Sequence, residues 1–182
     1  MRRFEVALIL VAALAAGFTL YLWKVRPPWF ERFRYPLHYS AILVERARAN
    51  DIDPSLLAAV IYSESHFNPT AESRSGAIGL MQLTPDTAKG IAVRTGGTAF
   101  RLSDLTNPAI NIRYGAWYLH LLLTKYGDER MALAAYNAGQ GNVDRWRSAG
   151  LPVQFPETNA YVDRVEHLKA VYRRAWRSRL YG

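Results

Sequence analysis

Residues 53–67, DPSLLAAVIYSESHF, decide the fold. Asp53 can cap a helix, and Pro54 stands at the first helical position, where no amide donor is missed. Behind Glu64, Ile61 and Val60 lie three and four residues back and Leu57 seven, so all share one helical face. A carboxylate therefore sits on the stripe that should meet a core. It also sits near a helix C-terminus, where the helix dipole disfavours an anion. Burial and the dipole both raise a carboxyl pKa. A carboxyl that keeps its proton near neutral pH is what a general acid requires. The plainer alternative is a solvated surface glutamate in the last turn. The segment that follows, SHFNPTAESRSGAIGLMQLTP (65–85), counts against it, because it is polar and rich in Ser, Asn and Gly, as a site wall would be.

The cap-then-proline signal recurs at Thr84-Pro85 and Asn107-Pro108, and Gly127, Gly139 and Gly150 mark helix ends. The pattern predicts helices over 36–50, 54–65, 85–95, 108–126, 129–138, 142–149 and 158–179. Few stretches alternate with period two, so no substantial sheet is expected. The fold class read from this is all-α.

Ahead of this domain, Val6–Trp23 gives 18 residues without a charge, after Arg2 and Arg3. That is long enough to cross a bilayer and long for the core of a signal peptide. Ala13-Leu14-Ala15 offers a cleavage site, but the apolar run continues through Phe18, Leu20, Leu22 and Trp23. The reading is a retained anchor, with a cleaved signal peptide and secretion as the alternative. The resulting plan is a basic segment at 1–5, an anchor helix at 6–23, a Pro-broken linker at 24–35 and the helical domain at 36–182. Lys24, Arg26, Arg32 and Arg34 follow the span and, by the charge rule, argue for a cytoplasmic C-terminus.

The net charge of +8 favours an anionic partner without choosing one. With no cysteine there is neither a disulfide nor a thiolate metal site. His38, His66, His120 and His167 are scattered without paired-ligand spacing, so neither a metal nor another cofactor is expected. Arg164, Lys169, Arg173, Arg174, Arg177 and Arg179, interleaved with Tyr172 and Trp176, form a basic C-terminal helix. It is read as a solvated face rather than a nucleic-acid site.

Four ordered blocks then carry a family resemblance: ESHFNPTAESRSGAIGLMQ (64–82), NPAINIRYGAWYL (107–119), ALAAYNAGQGNV (132–143) and FPETNAYVDRV (155–165). Over roughly residues 40–172 the chain resembles the catalytic domain of the soluble lytic transglycosylases, with their goose-lysozyme-like helical fold. The resemblance implies action on peptidoglycan glycan strands. The bond broken joins N-acetylmuramic acid to N-acetylglucosamine, and a 1,6-anhydro ring forms without water. It implies Glu64 as acid and then base, with the substrate's N-acetyl group replacing a second carboxylate. It further implies that Ser73 contacts an acetamido group, that Gln82 lines the site and that the Tyr136 hydroxyl reaches Glu64. Asn137, Glu157 and Tyr161 would lie along the substrate, and Ser65 would close the helix end. The expected location is the cytoplasmic membrane, with the domain on its outer side, against the charge rule. Glu72 is a second carboxylate that would permit lysozyme-like hydrolysis if it faced the sugar. A non-catalytic wall-binding module of a secretion machine is a further alternative.

Overall fold

The computed structural model describes residues 2–97 and 99–182. They fall into two units, one ending at Pro36 and one spanning Leu37–Gly182.

In the first unit, α1 (Arg2–Val25) contains the uncharged run, with a mean hydropathy of 2.2, and is long and apolar enough to cross a membrane. The stretch expected to be only a linker carries a second helix, α2 (Pro28–Arg34), with Pro28 in its first turn. Proline interrupts the chain there, but it also starts a helix well, because its fixed φ suits the first helical position.

The second unit is helical. Its helices are α3 (Ser40–Ala49), α4 (Pro54–Ser65), α5 (Pro85–Arg94), α6 (Pro108–Tyr126), α7 (Glu129–Ala138), α8 (Gln140–Ser148), α9 (Pro156–Ala175) and α10 (Arg177–Tyr181). A short 3-10 turn, Leu102–Thr106, precedes α6. The three cap-and-proline starts are realised. The Asp53 side chain accepts from Ser55 N, Thr84 from Thr87 N, and Asn107 from Ala109 N and Ile110 N. Gly127, Gly139 and Gly150 take positive φ values of 65°, 84° and 66° at helix ends. The expected and observed ends agree to within two residues except in two spans. The first helix begins at Ser40, because Tyr39 occupies the left-handed region at φ 54°. The last is broken at Trp176, outside helical geometry, into α9 and α10.

α4 is the axis of this unit. Ser55 through Ile61 are buried without interruption, so the helix is enclosed on all sides rather than striped. It packs along α9 and against α3. Each fully buried Leu, Ile or Val contributes about 1.5–3 kcal/mol of transfer free energy. The two ends of α4 are tied differently. At its start, Asp53 accepts from Ser55 Oγ at 2.8 Å and also takes Arg173 and the Tyr181 hydroxyl, fixing the end of the chain to this cap. Burial opposes ionisation of Asp53, but these hydrogen bonds and the Arg173 charge hold its pKa below the ordinary carboxylate value. The basic helix is thus partly committed: Arg173 to Asp53, and Lys169 to Glu129 at 2.6 Å. A second small core, of Leu83, Ala88, Ile91, Leu105 and Tyr114, joins α5 to α6.

Candidate active site

α4 emerges from its buried environment at its last turn, where Tyr62, Ser63 and Glu64 are half-buried. Glu64 is therefore not one position on an apolar stripe. It is where a fully enclosed helix meets the surface. The helix stops there because His66 and Phe67 both take left-handed backbone, at φ 51° and 63°. Non-glycine residues in that region cost on the order of 1–3 kcal/mol each and persist only where surroundings enforce them. Here Phe67 is buried, with its ring packed against Tyr172, and the Ser65 hydroxyl lies 2.8 Å from Leu80 O and 3.1 Å from Ile61 O. Ser65 thus closes the helix end onto the following loop, as expected of it.

That loop, residues 68–83, is the wall beside Glu64, and the Leu80-Met81 segment is its anchor. Leu80 O faces Ser65 of α4. Met81 N donates to Asn111 Oδ1 of α6 at 2.8 Å. Met81 O accepts from the Tyr136 hydroxyl of α7 at 2.7 Å. Asn111 is completely buried, and its amide also donates to Ile78 O at 3.0 Å and Leu105 O at 2.8 Å. Two glycines permit this approach. A Cβ on Gly79 would collide with Asn111 and Leu105 O, and one on Gly115 with the Met81 side chain. Asn111 and Gly115, four residues apart on α6, present one face to the loop.

Glu64 itself is held from α9. The Tyr161 hydroxyl donates to Glu64 Oε1 at 2.7 Å. One turn later, Arg164 donates from Nε to Ser63 Oγ at 2.8 Å and places its guanidinium 5.4 Å from the Tyr161 ring centre. Burial pushes the Glu64 carboxyl up to about 7, against the opposing pull of the Tyr161 hydrogen bond and the Arg164 charge. Burial, followed by the Glu64 charge, pushes the phenols of Tyr136 and Tyr161 well above the ordinary tyrosine value. Both therefore remain hydrogen-bond donors. At neutral pH Glu64 is poised between its two protonation states, the condition for exchanging a proton with a bound group.

The expected site residues divide. Glu64, Tyr161 and Tyr136 form one electrostatic cluster. The hydroxyl on the Glu64 carboxyl is Tyr161's, however, and Tyr136 instead holds Met81 O, so the expected Tyr136 contact is corrected. Ser73 and Gln82 shape the loop. Ser73 Oγ accepts from Ala77 N at 3.0 Å, and the Gln82 amide donates to Ala71 O and Gly79 O, each at 3.0 Å. Asn137 is exposed and accepts from Thr158 Oγ1 at 2.8 Å, joining the end of α7 to the start of α9. Glu157 is exposed in the first turn of α9, and Glu72 is exposed on the loop. The sequence reading assigned no role to Asn111 or to Arg164 at the site. Asn111 had a signal of its own, an asparagine inside an otherwise apolar helical stretch, where it is a poor helix former unless its amide is used. Among the described residues no group of three or more acidic or histidine side chains could hold a metal ion.

Residues 42–150 match the Transglycosylase SLT domain. The chain belongs to this family. The SLT chain is 36% identical over 152 residues to the soluble lytic murein transglycosylase of Salmonella typhimurium, covering 77% of itself and 24% of that protein. It is 45% identical over 102 residues to the membrane-bound lytic murein transglycosylase F of Yersinia pestis, covering 52% of itself and 19% of that protein. The SLT chain thus spans about a quarter or less of the length of these relatives. Its fold superposes with a TM-score of 0.75 on an inactive Glu-to-Gln mutant of lytic transglycosylase Slt from Pseudomonas aeruginosa. That match has 30% identity and covers 92% of this chain and 30% of the other.

Proposed function

We propose that this SLT-domain chain is a peptidoglycan lytic transglycosylase anchored by α1, with its helical domain on the outer side of the cytoplasmic membrane. The observation that carries the reading is a single carboxyl, Glu64, raised to about 7 and held through one oxygen by a buried tyrosine. With Tyr161 on Oε1, the proton of the acid form resides on Oε2. That proton passes to the glycosidic oxygen as the muramyl C1–O bond breaks, and the N-acetylglucosamine portion leaves as an alcohol. The neighbouring N-acetyl group of the substrate covers the cationic C1. The Glu64 carboxylate then takes the proton of the muramyl C6 hydroxyl as its oxygen bonds to C1. The 1,6-anhydro ring closes, Glu64 is again protonated, and no water is consumed. Arg164 and the Tyr161 hydroxyl stabilise the carboxylate between the two proton transfers. Ser73, Gln82, Asn137 and Glu157 are the proposed contacts along the glycan and its peptide. In the Pseudomonas aeruginosa relative a single Glu-to-Gln change accompanies loss of activity, which supports a glutamate as the reacting group.

Purified murein digested by the 182-residue chain and analysed by mass spectrometry tests this. The expected muropeptides end in 1,6-anhydromuramic acid and are lighter by one water than the hydrolytic product. A hydrated product alone would make the enzyme a hydrolase, with Glu72 the first candidate base. No product would favour a wall-binding module. A reporter fused after residue 35 tests topology, and activity confined to a cytoplasm-specific reporter would overturn the placement.

A further inference from the structure

α1 has 24 residues and extends roughly 36 Å, more than the roughly 30 Å of hydrocarbon in a bilayer. With its uncharged run in the hydrocarbon, the end of α1 at Trp23, Lys24 and Val25 reaches the headgroup level, where tryptophan and basic side chains are favoured. The helix stops at Arg26, which takes left-handed backbone at φ 46°, and Pro27 is extended, at φ −61° and ψ 147°. These two residues turn the chain away from the α1 axis, and α2 starts directly after them. α2 therefore begins at the level where α1 leaves the bilayer core.

α2 wears its aromatic side chains on the outside. Trp29 and Phe33 stand one turn apart on one face and are 55% and 84% exposed. After α1, no other Phe, Tyr or Trp among the described residues is more than half exposed. The Trp29 ring packs edge-on against the half-buried Phe30, with ring centres 5.9 Å apart, so its position is set by packing. Glu31, the one acidic residue of 24–36, projects from the opposite face and is buried. Lys24, Arg26, Arg32 and Arg34 are all exposed. The outer side of this stretch thus joins two aromatic rings to four cations and shows no carboxylate.

We propose that α2 is an interfacial helix whose Trp29–Phe33 face lies in the surface of the same bilayer that α1 enters, with the flanking cations among the phosphates of anionic lipids. An apolar face edged by basic side chains is the pattern that seats a helix in the plane of a membrane. The proposal rests on the reading of α1 as an anchor and adds a second, peripheral attachment to it. It also gives the basic residues after the span a task in lipid binding, where the charge rule alone reads them as a mark of the cytoplasmic side.

The 182-residue chain has no cysteine, so single-cysteine variants each carry one nitroxide label. Phe33→Cys reports on α2, Leu14→Cys on the middle of α1, and Ser103→Cys, on the 3-10 turn before α6, is the water reference. All three replace exposed side chains and leave the core intact. Accessibility to oxygen and to a nickel chelate is measured in nanodiscs containing phosphatidylglycerol. Label 33 is expected about 5–10 Å into the headgroup and acyl boundary, shallower than label 14 and deeper than label 103. It should move toward water in Trp29→Ser and in nanodiscs of phosphatidylcholine alone. Label 33 as open to the nickel chelate as label 103, with label 14 deep, overturns the proposal and leaves the anchor standing. Labels 14 and 33 both in water overturn the anchor reading with it. Shielding of label 33 from both reagents would put a protein surface on this face instead of lipid and refute the proposal. A depth unchanged by lipid charge would refute the part given to the cations.

Discussion

Replacing Glu64 with glutamine should make the protein more stable at alkaline pH and leave it nearly unchanged at acid pH. Glutamine keeps an oxygen for the Tyr161 hydroxyl and removes only the charge. The folded carboxyl has a pKa of about 7 against an ordinary value of 4.5. Because the folded value is raised, its stabilising effect is complete below pH 4.5. It is lost progressively as pH rises, until the folded group also ionises near pH 7. Linkage over the interval from pH 5 to pH 8 makes Glu64 cost the folded state about 2–3 kcal/mol that the Gln variant does not bear. For a domain of this size that is a melting-temperature gap of roughly 5–10 °C, opening between those pH values. Differential scanning calorimetry of both proteins at half-unit pH steps measures the gap, and every other titrating group cancels in the difference. A flat difference would mean that Glu64 is not held protonated. A Gln variant less stable at pH 8 would mean that Glu64 serves as the partner of Arg164 and that this pairing outweighs the cost of burying the charge.

Tyr161→Phe removes the donor that lowers the Glu64 pKa, so the acid form should persist to higher pH. Murein cleavage should fall by about 10- to 100-fold, the worth of one charge-assisted hydrogen bond, and the alkaline limb of kcat/KM should move upward. An unmoved limb would detach Tyr161 from Glu64. Tyr136→Phe strands Met81 O in a buried setting and should lower stability by about 1–3 kcal/mol in urea unfolding, whereas a hydroxyl acting on substrate would leave stability unchanged. Asn111→Leu deletes three buried hydrogen bonds and should cost about 3 kcal/mol or more, with an unchanged midpoint refuting its role as the loop clamp.

Local chemistry was the legible part of the sequence. Asp53-Pro54, Thr84-Pro85 and Asn107-Pro108 announce helix starts because cap and proline act within four residues of each other, and the structure realises all three. Glu64 was legible for a reason that proved incomplete. Its position behind Val60 and Ile61 suggested a stripe, whereas α4 is buried all round, and periodicity cannot distinguish those cases. The partners of Glu64 were less accessible. Tyr136 and Tyr161 both lie in recognisable blocks, and which hydroxyl reaches the carboxyl depends on how α9 packs along α4 and α7 against α9, which no local pattern encodes. The break at Trp176 and the start at Ser40 likewise depend on backbone conformation at single residues, Trp176 and Tyr39.

The parts around Glu64 are spread along the chain in a definite order. The carboxyl comes first; Asn111 and Tyr136, which fix the loop beside it, come later; Tyr161, which holds and helps bury it, comes 97 residues after it. A chain in which residue 161 has not yet been made therefore lacks the hydroxyl that holds this carboxyl. The hydrogen-bonded carboxyl exists only once α9 has been made and docked. A protein proposed to cut the cell's own wall thus completes its proposed acid through a contact between two segments far apart in the chain.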